Sequence, residues 1–130
     1  MVSHALACYP RECCGILIGR SDGDEREVLE AVACRNVYEG DQWDRFVLSP
    51  EEHLATQRRA RECGLEVIGF FHSHPAGEAY FSATDLANCW PWCSNVVLAV
   101  RQGGVLGAKA FRANESFTHA EQEDLVLPEA

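Results

Sequence analysis

Apolar residues along the chain fall in short runs separated by polar, glycine-rich or proline-rich breaks, and the period of each run predicts its element. Residues 4–9 read as the end of a helix, because Pro10 pushes the residue before it out of helical geometry. Residues 14–18 are a strand-like apolar run ended by Gly19, with a turn around Asp22-Gly23. Residues 28–34 predict a second strand antiparallel to the first, although 27–31 also fits a helix. A polar loop over 36–45 leads to the apolar triplet Phe46-Val47-Leu48. Ser49-Pro50-Glu51-Glu52 is then a helix start, with Ser49 as N-cap, Pro50 in the first turn and Glu52 closing a capping box. That helix should run to about Cys63 and stop at Gly64.

Residues 65–73 are apolar at both alternations, as in a central strand covered on both faces. Pro75 ends it, since proline cannot donate to a sheet ladder. Ser82-x-x-Asp85 repeats the capping-box pattern and opens a short helix to about Cys89, before Trp90-Pro91-Trp92. Residues 95–101 and 105–112 flank Gly103-Gly104 as a hairpin. A short edge strand is expected near 125–127, within an acidic tail at about 115–130. The order of elements predicts one domain over residues 1–130, an α/β or α+β sandwich.

Composition narrows the setting. A 130-residue chain that is 47% hydrophobic can bury one core. A net charge of −9 argues against a nucleic-acid partner, which needs a basic footprint. No apolar run approaches the ~18 residues of a membrane span, and the N-terminus lacks a signal-peptide pattern. Seven cysteines, an odd number and several within apolar runs, read as mostly buried thiols in a reducing cytoplasm.

The candidate chemistry sits where the central strand ends, in Ile68-Gly69-Phe70-Phe71-His72-Ser73-His74-Pro75. Alternate side chains of a strand share a face, so His72 and His74 point the same way. Two unpaired imidazoles buried at a strand end would cost free energy unless bonded or metallated. Asp85 follows, and two imidazoles with one carboxylate are ligands that suit a catalytic zinc, leaving a position for water. Asp85 and Ser82 also have a plain role as a helix cap, compatible with ligation. Zinc lowers the pKa of its water to about 7, and hydrolysis then needs a carboxylate base that is not a ligand. Glu12 is a candidate, and by spacing alone Glu66 and Glu78 are no worse.

Pro10-x-Glu12-x-Cys14-Gly15, then His72-Ser73-His74-Pro75, then seven residues between His74 and Ser82, then Ser82-x-x-Asp85, resembles the JAMM (MPN+, Mov34/MPN/PAD-1) metalloprotease family in its compact prokaryotic branch. The resemblance covers roughly residues 4–112. It implies a curved mixed β-sheet flanked by helices, a cytidine deaminase-like sandwich. It also implies one zinc held by His72, His74 and Asp85. Glu12 would take a proton from the zinc-bound water and pass it to the leaving amine. Ser82 would stabilise the oxyanion, and Cys14 and Gly15 would be structural. The family cleaves peptide or isopeptide bonds, commonly after the C-terminal Gly-Gly of ubiquitin-like proteins. With only about eight residues between Asp85 and the next strand, a long substrate-holding insertion has no room, and the branch's small sulfur-carrier proteins are the implied substrates. Members usually begin with a strand before the first helix, and this chain starts at that helix.

Two other functions compete. A non-catalytic MPN scaffold would typically lack the ligand set. A RadC-like protein would carry His-Asn-His-Pro-Ser-Gly, where this chain has Ser73 and Ala76. Cys89-x-x-x-Cys93 has no second Cys/His pair to complete a structural zinc site. Trp90 and Trp92 are either core or an interaction patch, and Arg58, Arg59 and Arg61 are the solvated face of their helix. Arg45 and Phe46 are candidates for lining a tail groove. The sequence is compatible with a monomer or a homodimer.

Overall fold

The computed structural model describes residues 1–126 except Asp24, Asp44, Ala76, Gly77, Pro91, Trp92, Glu115 and Phe117. Among the described residues, three helices and six strands follow in the order α1 (Val2–Cys8), β1 (Cys14–Asp22), β2 (Glu25–Cys34), α2 (Pro50–Glu62), β3 (Glu66–His74), α3 (Ala83–Asn88), β4 (Ser94–Arg101), β5 (Gly104–Ala113) and β6 (Ala120–Glu123). The strands form one mixed sheet ordered β2-β1-β3-β4-β5-β6. Only β3 and β4 are parallel; the other four pairings are antiparallel. A parallel neighbour needs a crossover, and the segment containing α3 supplies it. This is the α+β mixed sheet with helices that the element order implied.

The two-residue period divides the inner strands between two cores. On one face Leu17, Phe71, Val96, Leu98 and Val100 pack with Ala5 of α1. On the other Cys14, Ile16 and Phe70 pack with Phe46 and Leu48 of the loop before α2. Full burial of one such large side chain contributes about 1.5–3 kcal/mol. Gly15 has a steric reason: a Cβ there would overlap the Phe71 ring and the Val32 carbonyl. His72 lies opposite Cys14 in the β1–β3 register and so belongs to the second face.

The helix starts follow local chemistry with one difference. Ser49 accepts the Glu52 N–H at 3.3 Å. The Glu52 carboxylate does not complete the box; it accepts the Arg35 N–H at 3.0 Å and Arg35 Nε at 3.2 Å, tying α2 to the end of β2. Gly64, at φ 73°, follows the end of α2. The edge strand expected at 125–127 instead lies at Ala120–Glu123, and Leu127 falls outside the described residues. Asn114 Oδ1 accepts the N–H groups of Thr118 and His119, so the chain reverses early. Ala120 then pairs with Ala113, and Arg112 bonds Glu123 at 3.0 Å.

Candidate metal centre

The site is built at the end of β3. The pairing of β1 with β3 ends at Cys14–His72, while β4 continues beside β3 as far as His74–Ala99. The residues just before β1 therefore lie alongside the two histidines. Ser73 fixes them there: its N–H donates to the Cys13 carbonyl at 3.2 Å, and its hydroxyl accepts the Cys13 N–H at 2.8 Å. Glu12, the next residue, is buried at 2% exposure. Its N–H donates to the Gln42 carbonyl at 2.6 Å, and its carbonyl accepts from Asn36 Nδ2 at 3.2 Å.

Asp85 arrives on the first turn of α3 within a complete capping box. Ser82 Oγ accepts the Asp85 N–H at 3.0 Å, and Asp85 Oδ2 accepts the Ser82 N–H at 3.0 Å. The same Oδ2 lies 3.1 Å from His72 Nε2 and 3.0 Å from His74 Nε2, and the two ring nitrogens are 3.1 Å apart. Three ligands of a tetrahedral zinc, at about 2.0–2.2 Å each, would stand roughly 3.3–3.5 Å apart. The triangle is close to that size. The ligand atoms of Glu12, His72, His74 and Asp85 all lie within 4.8 Å of one another, and all four residues are buried. These residues fit a divalent ion.

Neighbouring groups fix the donors. His74 Nδ1 is 3.2 Å from the Glu78 carbonyl; in the tautomer that donates its N–H there, Nε2 would carry a lone pair for a metal in place of its hydrogen bond with Asp85. Phe46 stacks on His72 at 4.7 Å, and Tyr80 meets His74 edge-on at 4.7 Å. Burial lowers the His72 pKa more than the Asp85 carboxylate raises it, so the ring is held neutral, the form that binds metal. Burial also acts on Asp85, upward. The hydrogen bonds with His72 and His74, with that from Ser82, outweigh it and hold the carboxyl well below the usual carboxylate range.

The structure separates the three glutamates that spacing could not. Glu66 is exposed at the far end of β3, and Glu78 is exposed and meets the site only through its carbonyl. Ser73 is the residue sequence reasoning passed over. Its signal was its place between the histidines, where a period of two turns it to the opposite face. Cys89 and Cys93 are both free thiols. Arg58, Arg59 and Arg61 are exposed, and Arg59 bonds Glu30 at 2.8 Å. Trp90 is 55% exposed, and Trp92 lies outside the described residues.

A cleft of about 300 Å³ adjoins the cluster, with His72 and Asp85 in its wall. Phe46, Phe70, Phe81 and Trp90 make it aromatic, and Arg45 stands beside them.

A single mixed sheet gathers buried His, His, Asp and Glu at one strand end, a set of side chains that could hold a metal ion. The chain belongs to the family described as prokaryotic homologs of the JAB domain, whose model matches residues 1–114. It is 35% identical over 96 residues to the tail tip assembly protein K of Escherichia phage N15, covering 71% of this chain and 35% of that protein. It is 36% identical over 83 residues to the desampylase of Haloferax volcanii, covering 63% and 58%. It is 34% identical over 88 residues to the CysO-cysteine peptidase of Mycobacterium tuberculosis, covering 66% and 56%. The chain thus spans from about a third to under three fifths of the length of these curated relatives. The solution structure of a protein from Desulfitobacterium hafniense superposes with a TM-score of 0.84 at 30% identity, covering 98% of this chain and 86% of that one. Among the described residues, no helix is long and apolar enough to cross a membrane.

Proposed function

We propose that this protein is a zinc-dependent peptidase or isopeptidase that hydrolyses the bond after the C-terminal Gly-Gly of a ubiquitin-like or sulfur-carrier protein. One observation carries the reading: a carboxylate from before β1 converges with two imidazoles and a carboxylate from β3 and α3, all buried and within 4.8 Å. Relatives named desampylase and CysO-cysteine peptidase support the reaction class and the kind of substrate.

His72 Nε2, His74 Nε2 and Asp85 Oδ2 would hold the ion. When bound, zinc polarises a carbonyl and brings the pKa of a coordinated water to about 7. The remaining chemistry belongs to the chain. Glu12 accepts a proton from the attacking water as the C–O bond forms, then delivers it to the leaving nitrogen as the C–N bond breaks. The Ser82 oxygen accepts from Asp85, so its own proton is available to the carbonyl oxygen as that oxygen gains charge. Phe46 packs against the His72 ring, which limits water beside the ligands.

The test is zinc stoichiometry and hydrolysis of a carrier-tail conjugate for wild type and Glu12→Gln. The variant should bind one zinc and lose cleavage by about 10²-fold or more. Zinc binding with cleavage at the wild-type rate would remove Glu12 from the role of base.

A further inference from the structure

The cleft beside the metal ligands has a built polar end. Asn95, on β4, is 5% exposed and lines the cleft. Its Nδ2 donates to the Cys93 carbonyl at 3.2 Å and to the Phe111 carbonyl at 3.4 Å. Two carbonyl acceptors fix which end of the amide is nitrogen. No described residue donates to Oδ1, which is left as an acceptor on a residue of the cleft wall. Rings make up much of the wall: Phe46, Phe70 and Phe81, with His53 of α2 edge-on to Phe70 at 5.3 Å and to Trp90 at 5.7 Å, beside the polar Arg45, Thr84 and Asn88. Trp90, more than half exposed, also lines it.

From this arrangement we infer that the cleft is a side-chain subsite for an aromatic residue that ends in a hydrogen-bond donor, tyrosine or tryptophan, near the scissile bond of the substrate. The inference rests on the peptidase reading for its location in a substrate. A volume of about 300 Å³ is at the small end of ligand sites and suits one large side chain. Ring walls favour offset or edge-on packing of another ring. A purely apolar occupant would strip water from Asn95 Oδ1 and give nothing back. A lysine would set its charge in a small cleft already lined by the cationic Arg45. A ring bearing a phenol O–H or indole N–H can pack on the aromatic wall residues and donate to the Asn95 acceptor. Because the proposed tail supplies two glycines before the bond, the aromatic residue belongs upstream of that pair or on the leaving group.

The experiment has two arms, both on the zinc-loaded full chain. In the first, N-acetyl-tyrosinamide, N-acetyl-tryptophanamide, N-acetyl-phenylalaninamide and N-acetyl-alaninamide are titrated while NMR follows the Asn95 side-chain amide and the Trp90 indole. The tyrosine and tryptophan probes should shift both signals, the phenylalanine probe should bind roughly 3–10-fold more weakly, and the alanine probe should leave both unmoved. Trp90→Ala should weaken all three aromatic probes about tenfold, and Asn95→Leu should erase the preference of tyrosine over phenylalanine. If Asn95→Leu does not fold, Trp90→Ala and the probe ranking decide alone. In the second arm, tail peptides containing Gly-Gly carry a tyrosine at each flanking position in turn against an alanine background. One position should raise kcat/KM about tenfold or more, and Trp90→Ala should remove that gain. Cleavage without any preferred position, or equal shifts by the alanine probe, overturns the subsite. Aromatic binding with no cleavage of any peptide supports the subsite and overturns the peptidase reading.

Discussion

Ser73→Ala is the most telling single change, because it separates the proposed metal ligands from the proposed base. The Ser73 hydroxyl accepts the Cys13 N–H at 2.8 Å and is buried at 1% exposure, so no water can replace it. Alanine leaves a buried N–H without an acceptor, which costs about 1–3 kcal/mol. Unfolding entropy near the midpoint is about 2.1 cal/mol/K per residue. For 130 residues that is about 0.27 kcal/mol/K, so the melting temperature should fall by about 4–11 °C. A domain of this size is typically stable by about 5–15 kcal/mol and should still fold. His72, His74 and Asp85 are held by the sheet and by the α3 cap, so zinc affinity should change less than about threefold. Glu12 is one residue from the lost bond, and a shift of about 1 Å in a catalytic group can cost about 10²-fold. The expectation is a tenfold or larger loss in kcat at nearly constant KM. Calorimetry, zinc titration and initial rates on one preparation measure all three quantities. A melting temperature within 2 °C of wild type with kcat unchanged would refute the clamp. Loss of zinc in step with kcat would show that Ser73 acts through the histidines instead.

Two further predictions follow from the same geometry. Free zinc at 100 times its dissociation constant should stabilise the fold by about 2.7 kcal/mol, or roughly 10 °C by scanning calorimetry. Asp85→Asn keeps an oxygen for the Ser82 N–H but removes the anionic ligand and should lose most of that shift; an undiminished shift would place the ion elsewhere. Alkaline pH should destabilise the protein through its buried thiols. Burial raises Cys13 and Cys34 from 9.0 to about 11, so above pH 9 the unfolded chain releases protons that the fold retains. Their contribution is complete below pH 9 and is lost as pH rises through about 11. Urea midpoints should therefore fall between pH 8 and pH 10.5, less steeply in Cys34→Ala, and a flat profile would contradict the assignment.

Much of the site was legible because it is local. His72 and His74 share a face through the two-residue period of a strand, and Ser82 and Asp85 meet through the fixed geometry of a helix's first turn. The helix bounds were equally readable, since Ser49, Pro50 and Gly64 act on their own backbone. Two local expectations did not hold. Glu52 had a stronger partner than its own cap in the Arg35 N–H, and the last strand forms earlier because the Asn114 side chain reverses the chain. Both outcomes depend on groups far in sequence or on side chains in a turn, where no periodic signal exists.

What the residues alone determined is a pair of rings on one strand face and an acid on a capped helix turn, because backbone geometry dictates such short-range placements in any fold. Only the tertiary structure brings Glu12, and not Glu66 or Glu78, into the cluster with the two histidines and Asp85. That placement needed β1 to pair with β3 in the register that sets Cys14 against His72, across 58 residues of chain. Register is a property of two packed strands and their shared core, so no reading of either strand separately contains it.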